Sequence, residues 1–256
     1  MSGVTVSLSQ PRREGAGSSY RAETDDRGTA VILNITKGTY QVGLSRAGYA
    51  NRGLGYYQNR GRTLEVYNAT LATAGILNGK VQDPDGKPIA GAAVALSDMV
   101  AQDGTPYELA TGRVVTDAAG LFAVESLPTG RVGRCRANKD GYAMVVMSQE
   151  GSSDKVAITL QFGAVVRGRI KSVEAESAGQ EVYAQLAPEG GSRPGTYGGS
   201  IRCGADGAFE FKNVPAVRYA LTGGVSPGPA TDNERGPRRI VEVRPTKPGE
   251  VIEVDL

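Results

Sequence analysis

The sequence predicts an all-β chain of three tandem antiparallel sandwich modules in an extended array. Three observations carry that prediction. A turn-and-strand unit occurs three times: GTAVILNITKGTY from Gly28, GLFAVESLPTGRV from Gly120 and GAFEFKNVPAVRY from Gly207. An upstream marker recurs with it: GVTVSL from Gly3, GAAVAL from Gly91 and GQEVYAQL from Gly179, at even spacing. Self-similarity at a fixed period marks units strung or stacked in series. The composition agrees, with 36 Gly and 13 Pro and the apolar residues in short runs. That mixture suits short strands joined by tight turns rather than helices. The repeat divides the chain at 1–74, 75–162 and 163–256. Each unit has roughly 90 residues, enough to fold alone around a modest core.

Module two shows the elements most plainly. Ile76 to Val81 reads as a first strand. Asp83-Pro84-Asp85-Gly86 is a tight turn, in which Pro presets φ and Gly takes a positive φ cheaply. Ala92 to Leu96 is a second strand with Val94 and Leu96 on one face. Residues 97–112 read as a long loop and Arg113 to Thr116 as a third strand. Asp117 to Gly120 makes a hairpin turn. Phe122, Val124 and Leu127 then point to the core from the next strand, and Pro128-Thr129-Gly130 turns again. Val132 to Ala137, Ala143 to Met147 and Val156 to Leu160 complete about seven strands, the pattern of an antiparallel sandwich. In module three, Val165 to Ile170 matches the first strand and Val251 to Leu256 closes the unit.

Module one is expected to be incomplete. Gly3 aligns with Gly91, so the stretch matching Gly79–Ala90 is missing and a sheet edge is open. Open edges recruit other strands. Three explanations stand side by side: the chain is a fragment of a longer protein, another chain supplies the strand, or the module is natively short. No free donor extension is visible, because Val251–Leu256 serves module three.

The residues of module two resemble the carboxypeptidase regulatory-like domain family. The opening pattern is met by Gly79, Val81, Asp83, Gly86, Pro88, Ile89, Gly91, Ala92, Val94 and Leu96. It continues through Thr116, Asp117, Gly120, Phe122, Leu127, Pro128, Gly130, Gly141 and Tyr142. Val132 stands where the family prefers Tyr; Tyr40 and Tyr219 keep that residue in the other modules. Module one matches through Thr24, Asp25, Gly28, Gly38, Tyr40, Gly48 and Tyr49, and module three more weakly. The resemblance implies a prealbumin-like, Ig-like β-sandwich. Such modules are normally non-catalytic companions of secreted peptidases, glycan-active enzymes, outer-membrane receptors and surface proteins, usually bacterial. The matching residues are turn glycines and core apolars, so they describe fold and not a site.

The chemistry the residues allow is narrow. The chain has no histidine, which removes Ser-His-Asp and Cys-His catalysis and histidine-ligated metals. No carboxylate pair has a recognisable catalytic setting, so neither an enzyme nor a cofactor or metal site is expected. Asp25/Asp26 and Asp83/Asp85 lack calcium-loop spacing and read as turn formers. Lys80 with Glu125 could serve a Lys–Asn amide cross-link, but the closing strand offers no Asn. Asn34 and Asn68 sit in sequons on predicted strands and read as chance matches. With 29 basic and 27 acidic residues the net charge is +2, which favours neither nucleic acid nor membrane. The Arg clusters (Arg12/Arg13, Arg60/Arg62, Arg131/Arg134/Arg136, Arg238/Arg239) read as solvated faces. Cys135 and Cys203 are not repeat-equivalent and read as buried free thiols. The first residues lack the apolar stretch of a signal peptide.

The best candidates for ligand contact are loop tyrosines. The loops 9–20, 97–112 and 187–200 follow the second strand of each module and carry Tyr20, Tyr107 and Tyr197. A further loop, Asn51 to Arg60, carries Tyr56 and Tyr57 beside Asn, Gln and Arg. Tyrosine faces can stack on sugar rings, and loops on rigid sandwiches often bind. The absence of Trp weakens that reading. The expected function is therefore a non-catalytic structural or adhesive array of a secreted or cell-surface protein. One alternative is a carbohydrate-binding accessory region of a larger secreted enzyme. A second is a filament subunit assembled by strand complementation. The partners implied are a glycan or surface polymer and, through the open edge, self-association.

Overall fold

The computed structural model describes residues 1–10, 18–61, 66–100, 106–107, 113–129, 132–149, 155–170, 182–191, 197–225 and 238–256. Its described elements are all strands. Module one holds β1 (Thr5–Ser9), β2 (Ser19–Glu23), β3 (Gly38–Ser45) and β4 (Arg52–Asn59). Module two holds β5 (Ala74–Gln82), β6 (Ala93–Val100), β7 (Pro106–Tyr107), β8 (Arg113–Val115), β9 (Leu121–Pro128), β10 (Val132–Asn138), β11 (Val145–Gln149) and β12 (Lys155–Thr159). Module three holds β13 (Ala164–Arg169), β14 (Val182–Pro188), β15 (Gly199–Arg202), β16 (Ala208–Val214), β17 (Arg218–Val225), β18 (Arg238–Glu242) and β19 (Glu250–Glu253).

Modules two and three are two-sheet sandwiches of one design. The larger sheet runs β11-β10-β6-β7 with β8 also on β6 in module two, and β15-β14-β17-β18 in module three. The smaller runs β12-β5-β9 and β16-β13-β19. The all-β sandwich is as predicted, with one difference in pairing. The closing strand lies parallel to the first in both modules, Ile158 against Val81 and Ile252 against Val166. Parallel neighbours need a long crossover, and here nearly the whole module provides it.

Each sandwich has its own core. Leu77, Val81, Val94, Val124, Leu127 and Leu160 are fully or nearly fully buried in module two, and Val166, Phe211, Tyr219 and Leu221 in module three. Phe122, Val124 and Leu127 point inward as expected. The step between Val124 and Leu127 is odd-numbered because Ser126 adopts a left-handed φ of 56° beside a bulge between Gly75 and Leu77. A bulge of this kind shifts the alternation by one residue.

Module one differs. Its four strands form one sheet, β2-β1-β3-β4. The segment after Gly28, aligned with β9 and β16, is not a strand, and neither is 66–72. The sequons at Asn34 and Asn68 therefore lie outside strands. The reason is non-local: β9 and β16 hydrogen-bond to β5 and β13, and no described strand pairs with residues 29–36. Its buried cluster is correspondingly small, Leu8, Tyr40, Val42 and Tyr57.

The turns follow their sequence signatures. Asp25, Asp83 and Asp117 each accept two backbone N–H bonds through Oδ1, at 2.8–2.9 Å. These are Asx turns, and they commit one carboxylate oxygen of each residue to the main chain. At Gly120, φ is 72° and a Cβ would overlap the Val81 carbonyl oxygen, so only glycine fits between the turn and β5.

Candidate functional site

The tyrosines singled out from the sequence do not gather at one site. Tyr57 and Tyr107 are buried. Tyr57 lines the module-one core and stacks near Tyr40, with ring centroids 6.4 Å apart. Tyr107 lies on β7, where its hydroxyl accepts the Ala72 N–H at 2.7 Å and its ring receives the Arg52 guanidinium at 5.3 Å. Tyr20 lies on β2 rather than in a loop; its hydroxyl donates to Thr36 Oγ1 at 3.1 Å and its ring meets Tyr40 edge-on. Tyr197 packs edge-on against Phe211. Tyr56 alone of the five presents a largely open ring, 63% exposed. The stretch Asn51 to Arg60 is mostly strand β4, not a loop, because β3 supplies its partner from Gly38 to Leu44. Parts of the loops 9–20, 97–112 and 187–200, the positions Gly130 and Gly179, and Arg12, Arg13, Arg62 and Arg131 lie outside the described residues.

Glu125 is exposed on β9, so it does not supply the buried carboxyl that an amide cross-link at Lys80 would require. Cys135 and Cys203 are free and buried in separate cores. Burial pushes the Cys135 thiol up from 9.0 to about 11, because desolvation disfavours the thiolate. The unfolded thiol ionises first, so stability is full below pH 9 and falls as pH rises towards 11. The loss is about 2–3 kcal/mol across that interval. Urea unfolding at pH 8.5 and 10.5 should show about 1.5–2 kcal/mol of this loss from Cys135, and Cys135→Ala should remove that share.

The structure gives two further features a definite form, the second of them foreshadowed by the open edge expected in module one. The first is the joint between modules, built twice from equivalent residues. Between modules two and three, the Gly163 N–H donates to the Gly141 carbonyl at 2.8 Å, and the Gly141 N–H donates to Asn213 Oδ1 at 2.8 Å. The Gly249 N–H reaches the carbonyls of Gly141 and Gly163 at 3.1 and 2.9 Å. Between modules one and two, the Ala74 N–H donates to the Gly48 carbonyl and the Asn51 N–H to the Ser126 carbonyl, both at 3.0 Å. Each joint thus uses a Gly-Tyr-Ala turn, Gly48–Ala50 or Gly141–Ala143, against a residue held in the left-handed region. Those residues are Ser126 at φ 56° and Asn213 at 57°. Ala50 from module one is buried in the module-two core.

The second feature is a groove of about 950 Å³ over the uncovered face of module one. Its floor is Val4, Val6, Leu8, Val42, Leu44 and Leu54, and segments 28–35 and 67–71 form its walls. Val31 and Leu33 in the first of these segments are 60% and 72% exposed. Apolar exposure concentrated in one place marks an interaction surface more often than scattered exposure does.

Residues 76–161 match the model of the carboxypeptidase regulatory-like domain. No curated protein sequence matches the chain. Among solved structures, the Bacillus anthracis TIE protein is 17% identical with a TM-score of 0.27; the match covers all of this chain and 48% of that one, so the chain spans about half its length. The Streptococcal ancillary pilin is 13% identical with a TM-score of 0.35, covering 98% of this chain and 91% of that one. BcpA, the major pilin subunit of Bacillus cereus, is 10% identical with a TM-score of 0.25, covering 100% and 94%. At these identities and scores the likenesses carry no functional weight.

Proposed function

We propose that the chain is a non-catalytic structural array of three β units, 1–74, 75–162 and 163–256, the second and third of them two-sheet sandwiches and the first a single described sheet, acting as a semi-rigid spacer at a cell surface or in a secreted protein. The observation behind this reading is the repeated joint. A flexible linker leaves neighbouring domains free to move. Here the main chain of each joint is hydrogen-bonded to turns of both neighbours, so orientation is held at two successive points. Placement outside the cell rests on the family resemblance of module two. An adhesive or glycan-contacting role within the array would fall first to Tyr56, the open ring on β4.

Gly163 provides the test. A Cβ there would stand 2.8 Å from the Tyr142 carbonyl carbon, 2.9 Å from the Ala143 nitrogen and 3.0 Å from the Asn213 Cα. All three are backbone atoms, so a side chain separates the modules at a cost of about 1–3 kcal/mol. Small-angle scattering of the native chain should give an elongated particle with a narrow distance distribution. Gly163→Val should broaden that distribution while leaving amide exchange in the two neighbouring cores unchanged. A native chain that scatters as freely jointed beads would overturn the spacer reading.

A further inference from the structure

In modules two and three, the inner face of the larger sheet is covered by a central strand with a neighbour on each side. β5 lies antiparallel to β9 and parallel to β12, and β13 lies antiparallel to β16 and parallel to β19. Both central strands direct alternate residues inward, Leu77-Gly79-Val81 and Val166-Gly168-Ile170. Module one presents the same sheet face with no described strand across it. Val6 there is only half-buried, although its equivalent Val94 is fully buried under β5.

The walls of the groove are already set for a strand. Asn34 has φ 56°, the conformation of its equivalents Ser126 and Asn213. The Asp25 turn fixes the other end of the segment, with the Asp25 N–H on the Thr29 carbonyl at 2.9 Å. Between these points, no described residue hydrogen-bonds the main chain of 30–34. An extended segment with open main-chain groups beside an apolar floor is the arrangement by which strand addition works.

We propose that this groove is an acceptor for one extended strand of the β5 type, antiparallel to 29–35 and parallel to 66–71, supplied by a separate partner polypeptide with alternating apolar residues. A second copy of the chain is a poor donor, because every described strand is already in a sheet. The groove also differs from its relatives in what it selects. At Gly79 the Phe122 ring and a Val156 methyl leave no space for a Cβ, and at Gly168 the Val254 carbonyl does the same. Ala30 holds the Phe122 position in module one, so the central inward residue of the incoming strand can carry a side chain. Val31 and Leu33 stand where the other modules have Ala123 and Glu125, or Glu210 and Lys212. Outward positions that are small or charged in the other modules form an apolar rim here.

The test uses the full chain and synthetic peptides with the sequence of Ala74–Gln82. Calorimetry measures binding, and hydrogen exchange reads residues 29–35. The β5 peptide should bind and slow exchange there, and the same peptide with Gly79→Val should bind about fivefold tighter or better, from the apolar area it adds. The peptide with Leu77→Asp and Val81→Asp should do neither. Three outcomes would overturn the proposal. They are no protection by any peptide at millimolar concentration, equal protection by the aspartate peptide, or protection that appears without peptide as the chain dimerises. The last would make a second copy the occupant.

Discussion

Gly168→Ala should unfold module three, removing more than about 3 kcal/mol of its stability. The added Cβ would overlap the carbonyl of Val254. That carbonyl belongs to the segment held against β13 by two main-chain bonds, Val254 N–H to the Arg167 carbonyl and Leu256 N–H to the Arg169 carbonyl, both at 2.9 Å. Backbone cannot rotate away as a side chain can, so the closing strand must leave its register. Gly79 is the control. There the overlap is with the Phe122 ring and a Val156 methyl, which can move. Gly79→Ala should therefore be milder, and Phe122→Ala should relieve it in a double-mutant cycle. Amide exchange resolved by module is the appropriate readout, since three units need not unfold together. Native-like protection of module three in Gly168→Ala would refute the steric argument.

Thr116→Val should cost about 2–5 kcal/mol, although it scarcely changes the side chain's shape. Thr116 is 5% exposed. Its hydroxyl accepts the Ala92 N–H at 2.8 Å and donates to the Ile89 carbonyl at 2.7 Å. Valine would leave a donor and an acceptor buried without partners, each worth about 1–3 kcal/mol. The repeat supplies two internal comparisons. Thr24 makes the same pair of bonds, to the Val4 N–H and the Met1 carbonyl, both at 2.9 Å. It is only half-buried, so water can replace the hydroxyl and Thr24→Val should cost less than about 1 kcal/mol. In module three the position is Cys203, which keeps the main-chain bond from its N–H to the Val182 carbonyl at 2.8 Å. Denaturant unfolding of the two valine variants decides the matter; equal costs would mean that burial is not the controlling factor.

The outcome in module one shows why local pattern stops short of structure. GTAVILNITKGTY aligns without gaps to two segments that are strands, and its glycine and Asn34 adopt the same backbone conformation as theirs. Yet residues 29–36 are not a strand, because the pairing partner that makes β9 and β16 is a first strand distant in sequence. The stretch Asn51 to Arg60 went the opposite way. Its glycines and polar residues read as a loop, and β3 draws most of it into a sheet. Two of the five candidate tyrosines are buried for a related reason: sequence shows a tyrosine near a loop but not which way the strand beneath it faces.

The all-β class, the Asx turns and the inward residues of module two were legible in the sequence. Each depends on contacts within a few residues or on a period read along one strand. The parallel closing strands, the hydrogen-bonded joints at Gly141, Gly163 and Asn213, and the shape and lining of the groove beside the expected open edge of module one came only with the tertiary structure. Each of these joins main-chain groups far apart in sequence, and a strand exists only where a second strand completes its hydrogen bonds.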